Sequence, residues 1–329
     1  MNSIIKIANA CIDLGYWLDH FKKSTTVIIP KPNKSPYDSP KSFRPIVLLN
    51  TVGKLIEKVI GEKLQSHVVS NNFIYPSQLG RLKFKSTTDA GVTLTHIICS
   101  SWIKNLNTST LAFDITQFFP SLNHQFLILI LKKAGFDSCI AKFFSNYLIG
   151  RKINYFWNSF TLPSFDVNVR VGQGSALSPI LLALYLLLFL HIIENLLKNL
   201  KILISILSFV NNGLFIFQSK LFQISNTHLF SSYNIMTNLL SKFGLIVKHS
   251  KTEVFHFTRL QGFFNPPSLD LSPIGGHILC PKDLWKYLGF TFDRKLSFHQ
   301  HINFYSNKVI STVKCMKILG NSNCSLNPH

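Results

Sequence analysis

The stretch SILSFVNNGLFIFQ, Ser205 to Gln218, joins two apolar runs through Asn211-Asn212-Gly213. Ile204 to Val210 and Leu214 to Phe217 are rich in β-branched and aromatic residues, which suit a pleated, half-buried surface. Asn-Gly between such runs favours the positive φ angles of a tight turn, so the stretch reads as a hairpin with two amides at its tip. Two readings of those amides stand open. They are ordinary turn residues, or they occupy a place where chemistry would want two acids.

The whole chain narrows the classes. With 329 residues, 47% hydrophobic and 13% aromatic, it has the material for one large or two ordinary cores and is not a disordered polymer. The charge is lopsided: 34 Lys and Arg against 14 Asp and Glu leave +20. Such a surplus suits a polyanion, because phosphates neutralised by Lys and Arg release counterions. Six cysteines, spread from Cys11 to Cys324 without a C-x-x-C, signal neither a zinc ribbon nor a disulfide framework. The start, MNSIIKIANACIDLGYW, lacks the layout of a secretory signal, so an intracellular location, nuclear or cytoplasmic, is expected. From Ile180 to Leu190 every residue is hydrophobic, but a membrane span needs about 20 such residues. A buried core helix is the expectation, with no membrane, and a membrane-associated protein is the minority reading.

Working outward, residues 22 to 49, KKSTTVIIPKPNKSPYDSPKSFRPIVLL, read as two strands around a Pro/Ser/Lys loop, a basic flap. Residues 51 to 72 place Leu55, Ile56, Val59, Ile60, Leu64 and Val68 at helical spacing. A basic loop, QLGRLKFKSTTDAG, leads to a helix opening at Thr88 or Asp89. STLAFDI is a strand, and Phe126 to Ala134 a helix ending at Gly135. VNVRV is a strand, GQGS a glycine turn, and Pro179 suits the first position of a helix. After the hairpin come a helix from about His228 to Phe243, the strand KTEVFHF, the hairpin WKYLGFTFDRKLSF and the basic amphipathic helix HINFYSNKVISTVKCMKIL.

Singly, the candidate residues have bland explanations. Asp114 ends a strand, as a turn-capping acid does. The backbone N–H groups of GQGSALSP open a helix and so favour phosphate, yet most such loops are only helix starts. Lys31, Lys34, Lys41 and Arg44 could grip phosphates or simply face water. Phe118 and Phe119 suit a core.

In order, these blocks are specific. A basic flap ending in SFRPIVLLN, then AFDITQFFPS, GQGSALSPILLALY, an apolar hairpin, KTEVFHF and WKYLGFTFD resemble the reverse transcriptase of non-LTR retrotransposons of the LINE or jockey kind, over about residues 10 to 321. The resemblance implies an α+β right-hand polymerase fold with fingers, an antiparallel palm and the start of a thumb. It places the reverse transcriptase domain at 1–300, with fingers about 1–105 and palm about 106–295, and a truncated thumb start at 296–329. It implies RNA template, DNA primer and dNTP as partners, no obligate protein partner, and two Mg²⁺ ions that clamp the attacking and leaving oxygens. Asp114 then stands for the first metal ligand and Phe119 for the gate against a 2′-hydroxyl. Gln173 and Gly174 would line the nucleotide pocket, while Lys31 and Arg44 would meet the triphosphate. Lys251 falls near the lysine that protonates the leaving group, and Trp285 to Phe292 would be the primer grip.

The family's paired hairpin aspartates fall on Asn211 and Asn212, which carry no charge. Unit charges about 4 Å apart interact by roughly 4 kcal/mol at an effective dielectric near 20. Each 1.36 kcal/mol of barrier is about tenfold in rate, so polymerisation is expected to be lost. Between Asp114 and Glu253 the only acids are Asp137, Asp166 and Glu194, none of them on the hairpin. The family's template loop reads Gly80-Arg81-Leu82-Lys83 here, and no endonuclease or ribonuclease H region is in view. Asp to Asn, Glu to Lys and Ser to Leu or Phe all follow from C-to-T or G-to-A transitions, which suggests a degraded copy. A non-catalytic module for RNA or an RNA/DNA hybrid is the alternative.

Overall fold

The computed structural model describes residues 2–32, 36–71, 73–80, 82, 85–116, 123–133, 135–157, 160–167, 175–260 and 266–320. Its strands are β1 (Lys23–Pro30), β2 (Phe43–Leu49), β3 (Asn107–Thr116), β4 (Arg151–Trp157), β5 (Phe160–Thr161), β6 (Phe165–Val167) and β7 (Ile204–Phe209). They continue with β8 (Asn212–Ser219), β9 (Ile246–Val247), β10 (Glu253–Phe257), β11 (Leu269–Asp270), β12 (Ile278–Leu279), β13 (Leu284–Tyr287) and β14 (Phe290–Asp293). Two compact units emerge. One holds residues 1–86, 112–215 and 231–252, the other 87–111, 216–230 and 253–329.

In the first unit the basic flap is the antiparallel pair β1 and β2, with Ile29 opposite Arg44. Strand β4 joins β1 in parallel, giving the order β2-β1-β4-β5 with β6 also on β4. The apolar spacing of residues 51 to 72 gives the helix Thr51–Ser70, which buries Ile56, Ile60, Leu64 and Val68. The helix Ser138–Leu148, not singled out above, carries Ile140, Phe143, Phe144, Tyr147 and Leu148 at helical spacing; Phe143, Phe144 and Tyr147 are buried, and Trp17 packs edge-on to Phe143 and Tyr147.

A charged residue lies inside this apolar mass. Glu57 is 2% exposed, accepts hydrogen bonds from the Tyr147 hydroxyl (2.7 Å) and the Ala176 N–H (3.0 Å), and so ties three segments together. Ser175 Oγ lies 2.8 Å from the same hydroxyl, and the Arg151 guanidinium covers the Tyr147 ring at 4.7 Å. Burial, then the charge of Glu57, pushes the Tyr147 hydroxyl well above its ordinary pKa, so it stays a donor. The network anchors the chain just ahead of the helix Ser178–Asn199, where proline takes a first-turn position. By length and composition alone that helix could cross a membrane, but 61% of its most apolar stretch is buried, and its Tyr185 hydroxyl donates to Phe243 O at 2.9 Å.

The second sheet runs β10-β3-β8-β7, with β9 also on β3. The hairpin of β7 and β8 forms as expected, but its turn chemistry needs correction. The turn residues are Val210 and Asn211, and Val210 takes the positive φ, +59°. Gly213 lies inside β8, where an added Cβ would meet Phe113 Cζ at 2.1 Å. Its glycine therefore serves close packing against an aromatic ring rather than turn conformation.

In the second unit the helix Thr87–Ile103 begins where the basic loop ends, and the expected final hairpin is β13 with β14. Trp285, 1% exposed, stacks on Tyr287 at 4.8 Å and on Phe255 at 5.7 Å, and the long helix His299–Gly320 follows the hairpin. Of the strand reading for VNVRV, only Val167 lies among the described residues; the helix read from about His228 starts earlier, at Phe222.

His256 on β10 is 3% exposed, with Nδ1 at 2.7 Å from Ser109 Oγ, and burial holds its pKa down to about 4 against an ordinary 6.5. Between those values the unfolded chain binds a proton that the folded chain refuses, so stability falls on acidification, by up to about 3 kcal/mol. Urea midpoints at pH 7 and pH 4.5 should show this loss, and His256→Gln should flatten it.

Candidate active site

Asp114 is placed by β3, whose alternating residues bury Phe113 and Ile115 on either side of it. Phe113 packs on Phe215 at 5.1 Å, which fixes the strand against β8. Beyond Asp114 the strand pairs with β9, Ile115 opposite Val247 and Thr116 opposite Ile246. The Lys248 N–H donates to Asp114 O at 2.9 Å, and the chain then makes a short helical turn, His249–Lys251. Tyr233 holds that turn, its hydroxyl 2.9 Å from His249 Nδ1 and 3.0 Å from Thr252 Oγ1.

This framework brings Lys251 Nζ to 2.6 Å from Asp114 Oδ2. From the hairpin, Asn211 Nδ2 donates to the other oxygen, Asp114 Oδ1, while Asn211 O accepts the Ile115 N–H at 2.8 Å. The cluster is thus one carboxylate, one ammonium and one amide. Asp114 is 7% exposed and both its oxygens are engaged by donors. A carboxylate that far from water needs such partners, since an unpaired one costs several kcal/mol.

Of the residues singled out in the sequence, the structure brings together Asp114, Asn211 and Lys251. Asn212 opens β8 beside them and borders a small apolar cavity with Phe113, Ile115 and Ser208. Arg44, on β2, is exposed, and Lys31 directly follows β1 at the same end of the flap, its N–H donating to Ser42 O at 2.9 Å. Phe119, Gln173 and Gly174 lie outside the described residues. Two contributors were not legible as such: Tyr233, which sets the Lys251 turn, and Gly80, whose backbone lies against the hairpin tip. For the second, the sequence offered only its place at the head of Gly80-Arg81-Leu82-Lys83.

Mg²⁺ is a hard ion that takes oxygen ligands in near-octahedral geometry, and a two-metal centre shares several carboxylates. Among the described residues no three His, Cys, Asp or Glu side chains gather into a metal-binding group. The one carboxylate here is already neutralised by an ammonium. These residues do not fit a pair of divalent ions.

The architecture matches known polymerases. Residues 29–292 match the family described as reverse transcriptase (RNA-dependent DNA polymerase), and the chain belongs to that family. Within it, the chain resembles enzymes of non-LTR retrotransposons. It is 28% identical over 180 residues to the probable RNA-directed DNA polymerase of transposon BS of Drosophila melanogaster, covering 54% of this chain and 20% of that one. It is 23% identical over 298 residues to the RNA-directed DNA polymerase of the mobile element jockey from the same fly, covering 90% and 31%. This chain therefore spans less than a third of the length of those relatives. Among solved structures it resembles a Candida tropicalis telomerase truncated from its C-terminal domain, with TM-score 0.57 and 15% identity over 84% of this chain and 54% of that one. A Candida albicans telomerase in complex with a fragment of telomeric RNA gives TM-score 0.56 and 13% identity, over 84% and 46%. The likeness confirms the right-hand polymerase fold. The family is ancestrally dependent on divalent metal, which the cluster around Asp114 does not accommodate.

Removing the ammonium tests the pairing. Lys251 is half exposed, so solvent screens the bond and Lys251→Met should cost about 1 kcal/mol. Asp114→Asn combined with Lys251→Met should cost less than the two single changes summed, as read from urea denaturation in a double-mutant cycle.

Proposed function

We propose that this reverse transcriptase domain keeps the polymerase fold while lacking the chemistry of strand extension. The observation that carries this reading is the occupancy of Asp114: an ammonium and an amide sit on the two oxygens that a metal would need. In the ancestral enzyme, Asp114 and carboxylates at positions 211 and 212 held two Mg²⁺ ions. Asn211 and Asn212 retain carbonyl oxygens but contribute no negative charge. What this chain's own residues do at the site is to close a neutral cluster.

The remaining ancestral roles follow the same reading. Residues 1–105 are the fingers, 106–295 the palm and 296–329 the start of the thumb. Lys31 and Arg44 faced the triphosphate, and Phe119, Gln173 and Gly174 shaped the nucleotide pocket. Lys251 supplied a proton to the leaving group, and the substrates were RNA template, DNA primer and dNTP. The chain is a degraded copy of such an element, and its gene should show an excess of C-to-T and G-to-A changes against its relatives. A second reading is favoured by the net charge of +20, which suits retention of RNA or an RNA/DNA hybrid without catalysis. Binding of that kind would fall steeply with salt and ignore chelators.

Primer extension on an RNA template with Mg²⁺ or Mn²⁺ tests the proposal, comparing this chain with Asn211→Asp/Asn212→Asp. Extension only by the doubly substituted chain is the expected result. Extension by the unchanged chain would overturn the proposal, and failure of both folded chains would place the lesion beyond the hairpin tip.

A further inference from the structure

Ahead of the Asp114 sheet in sequence, the segment Ser77–Gly80 runs beside β7. Its Gln78 forms a parallel bridge to Ser208, with the Leu79 N–H donating to Ser208 O at 2.8 Å and the Ser208 N–H donating to Ser77 O at 3.0 Å. Gln78, Leu79 and Gly80 are all buried. At its end Gly80 meets the hairpin tip: an added Cβ would lie 2.2 Å from Val210 N, 2.8 Å from Val210 Cγ2 and 2.9 Å from Phe209 C. Two of these three are backbone atoms, which cannot swing aside as the end of a long side chain can. Gly80 does not have a positive φ, so space, not conformation, is what demands glycine here.

The tip it touches is strained. Val210 is β-branched and holds φ at +59°, a region that such residues enter only when their surroundings compel it. Asn211 follows directly, its carbonyl bonded to the Ile115 N–H and its amide to Asp114. The tip is therefore gripped from two sides, by β3 and by Ser77–Gly80.

We propose that Gly80 is a positioning residue of the polymerase centre: by letting the Ser77–Gly80 backbone press on Val210, it sets where positions 211 and 212 stand relative to Asp114. The metal-related part of this inference rests on the reading of positions 211 and 212 given above. Larger residues at position 80 push the tip outward and open the Asn211 contacts, while the body of β8 stays paired.

The first test uses the chain as it stands. Gly80→Ala is compared with Gly61→Ala, a helix site where an added Cβ makes only ordinary contacts, at 3.5 Å or more. Residue-resolved hydrogen exchange should quicken by about tenfold or more at Ile115 and Ser208 in Gly80→Ala, with Leu214 to Phe217 unchanged. Unchanged exchange at Ile115 in a folded Gly80→Ala chain would overturn the proposal. If Gly80→Ala does not fold, native-state exchange of the unmodified chain decides: Leu79, Ser208 and Ile115 should open together, and opening of Leu79 well before Ile115 would refute the clamp. The second test titrates Mn²⁺ into Asn211→Asp/Asn212→Asp with and without Gly80→Ala. A loss of affinity of about tenfold supports the proposal, and equal affinity in the two chains refutes it. Absence of Mn²⁺ binding even with Gly80 intact would instead refute the reading of positions 211 and 212, leaving the exchange result to judge Gly80.

Discussion

Asp114 lies at the edge of water, 7% exposed, on a strand whose neighbours on either side are buried in aromatic packing. A carboxylate in that position must be neutralised or hydrogen-bonded, and its partners come from segments far apart in the chain. Lys251 arrives 137 residues later on a turn pinned by Tyr233, and Asn211 arrives 97 residues later on a hairpin. The placement of β9, the Lys251 turn and the hairpin tip can all be followed from that single acid. In a metal-dependent relative the compensation would come from divalent ions shared among several carboxylates. With amides at 211 and 212 no like-charge repulsion adds to Asp114, and an ammonium completes the balance. The amides at 211 and 212 and the neutralised Asp114 thus belong to one electrostatic arrangement.

Geometry around the hairpin depends on missing side chains as much as on present ones. Gly213 makes room for the Phe113 ring, and Gly80 makes room for the backbone of Val210. Both glycines act by close approach, and together they confine a tip that carries a left-handed valine. A hairpin held so tightly can keep its shape after its functional residues have changed, because packing does not read the difference between a carboxylate and an amide of the same size. The fold accordingly superimposes on a telomerase at only 15% identity.

The buried Glu57 plays the corresponding part for the chain leading into the helix Ser178–Asn199. Its partners, Tyr147 and the Ala176 N–H, satisfy a charge that would otherwise be costly in the core, while Arg151 covers the Tyr147 ring. Such a network gives the helix start a defined position that apolar contacts alone, being non-directional, do not impose.

Sequence periodicity was enough for the flap, the helix Thr51–Ser70, the strand bearing Asp114, the buried helix and the hairpin, because each is written in local alternation of apolar and polar residues. The order of the motifs was enough for the family and for the suspicion that Asn211 and Asn212 stand in place of acids. Where sequence reading fell short, the missing information was nonlocal. Gly213 reads locally as a turn residue because nothing local reveals the Phe113 ring above it. The turn residue with positive φ proved to be a valine, a choice that local propensity argues against and that only contact with Gly80 and β3 explains. Local chemistry along the chain therefore determined which elements form and which family they compose, whereas the tertiary structure alone decided that Lys251 neutralises Asp114, since an ion pair across 137 residues exists only after the sheet has brought its ends together.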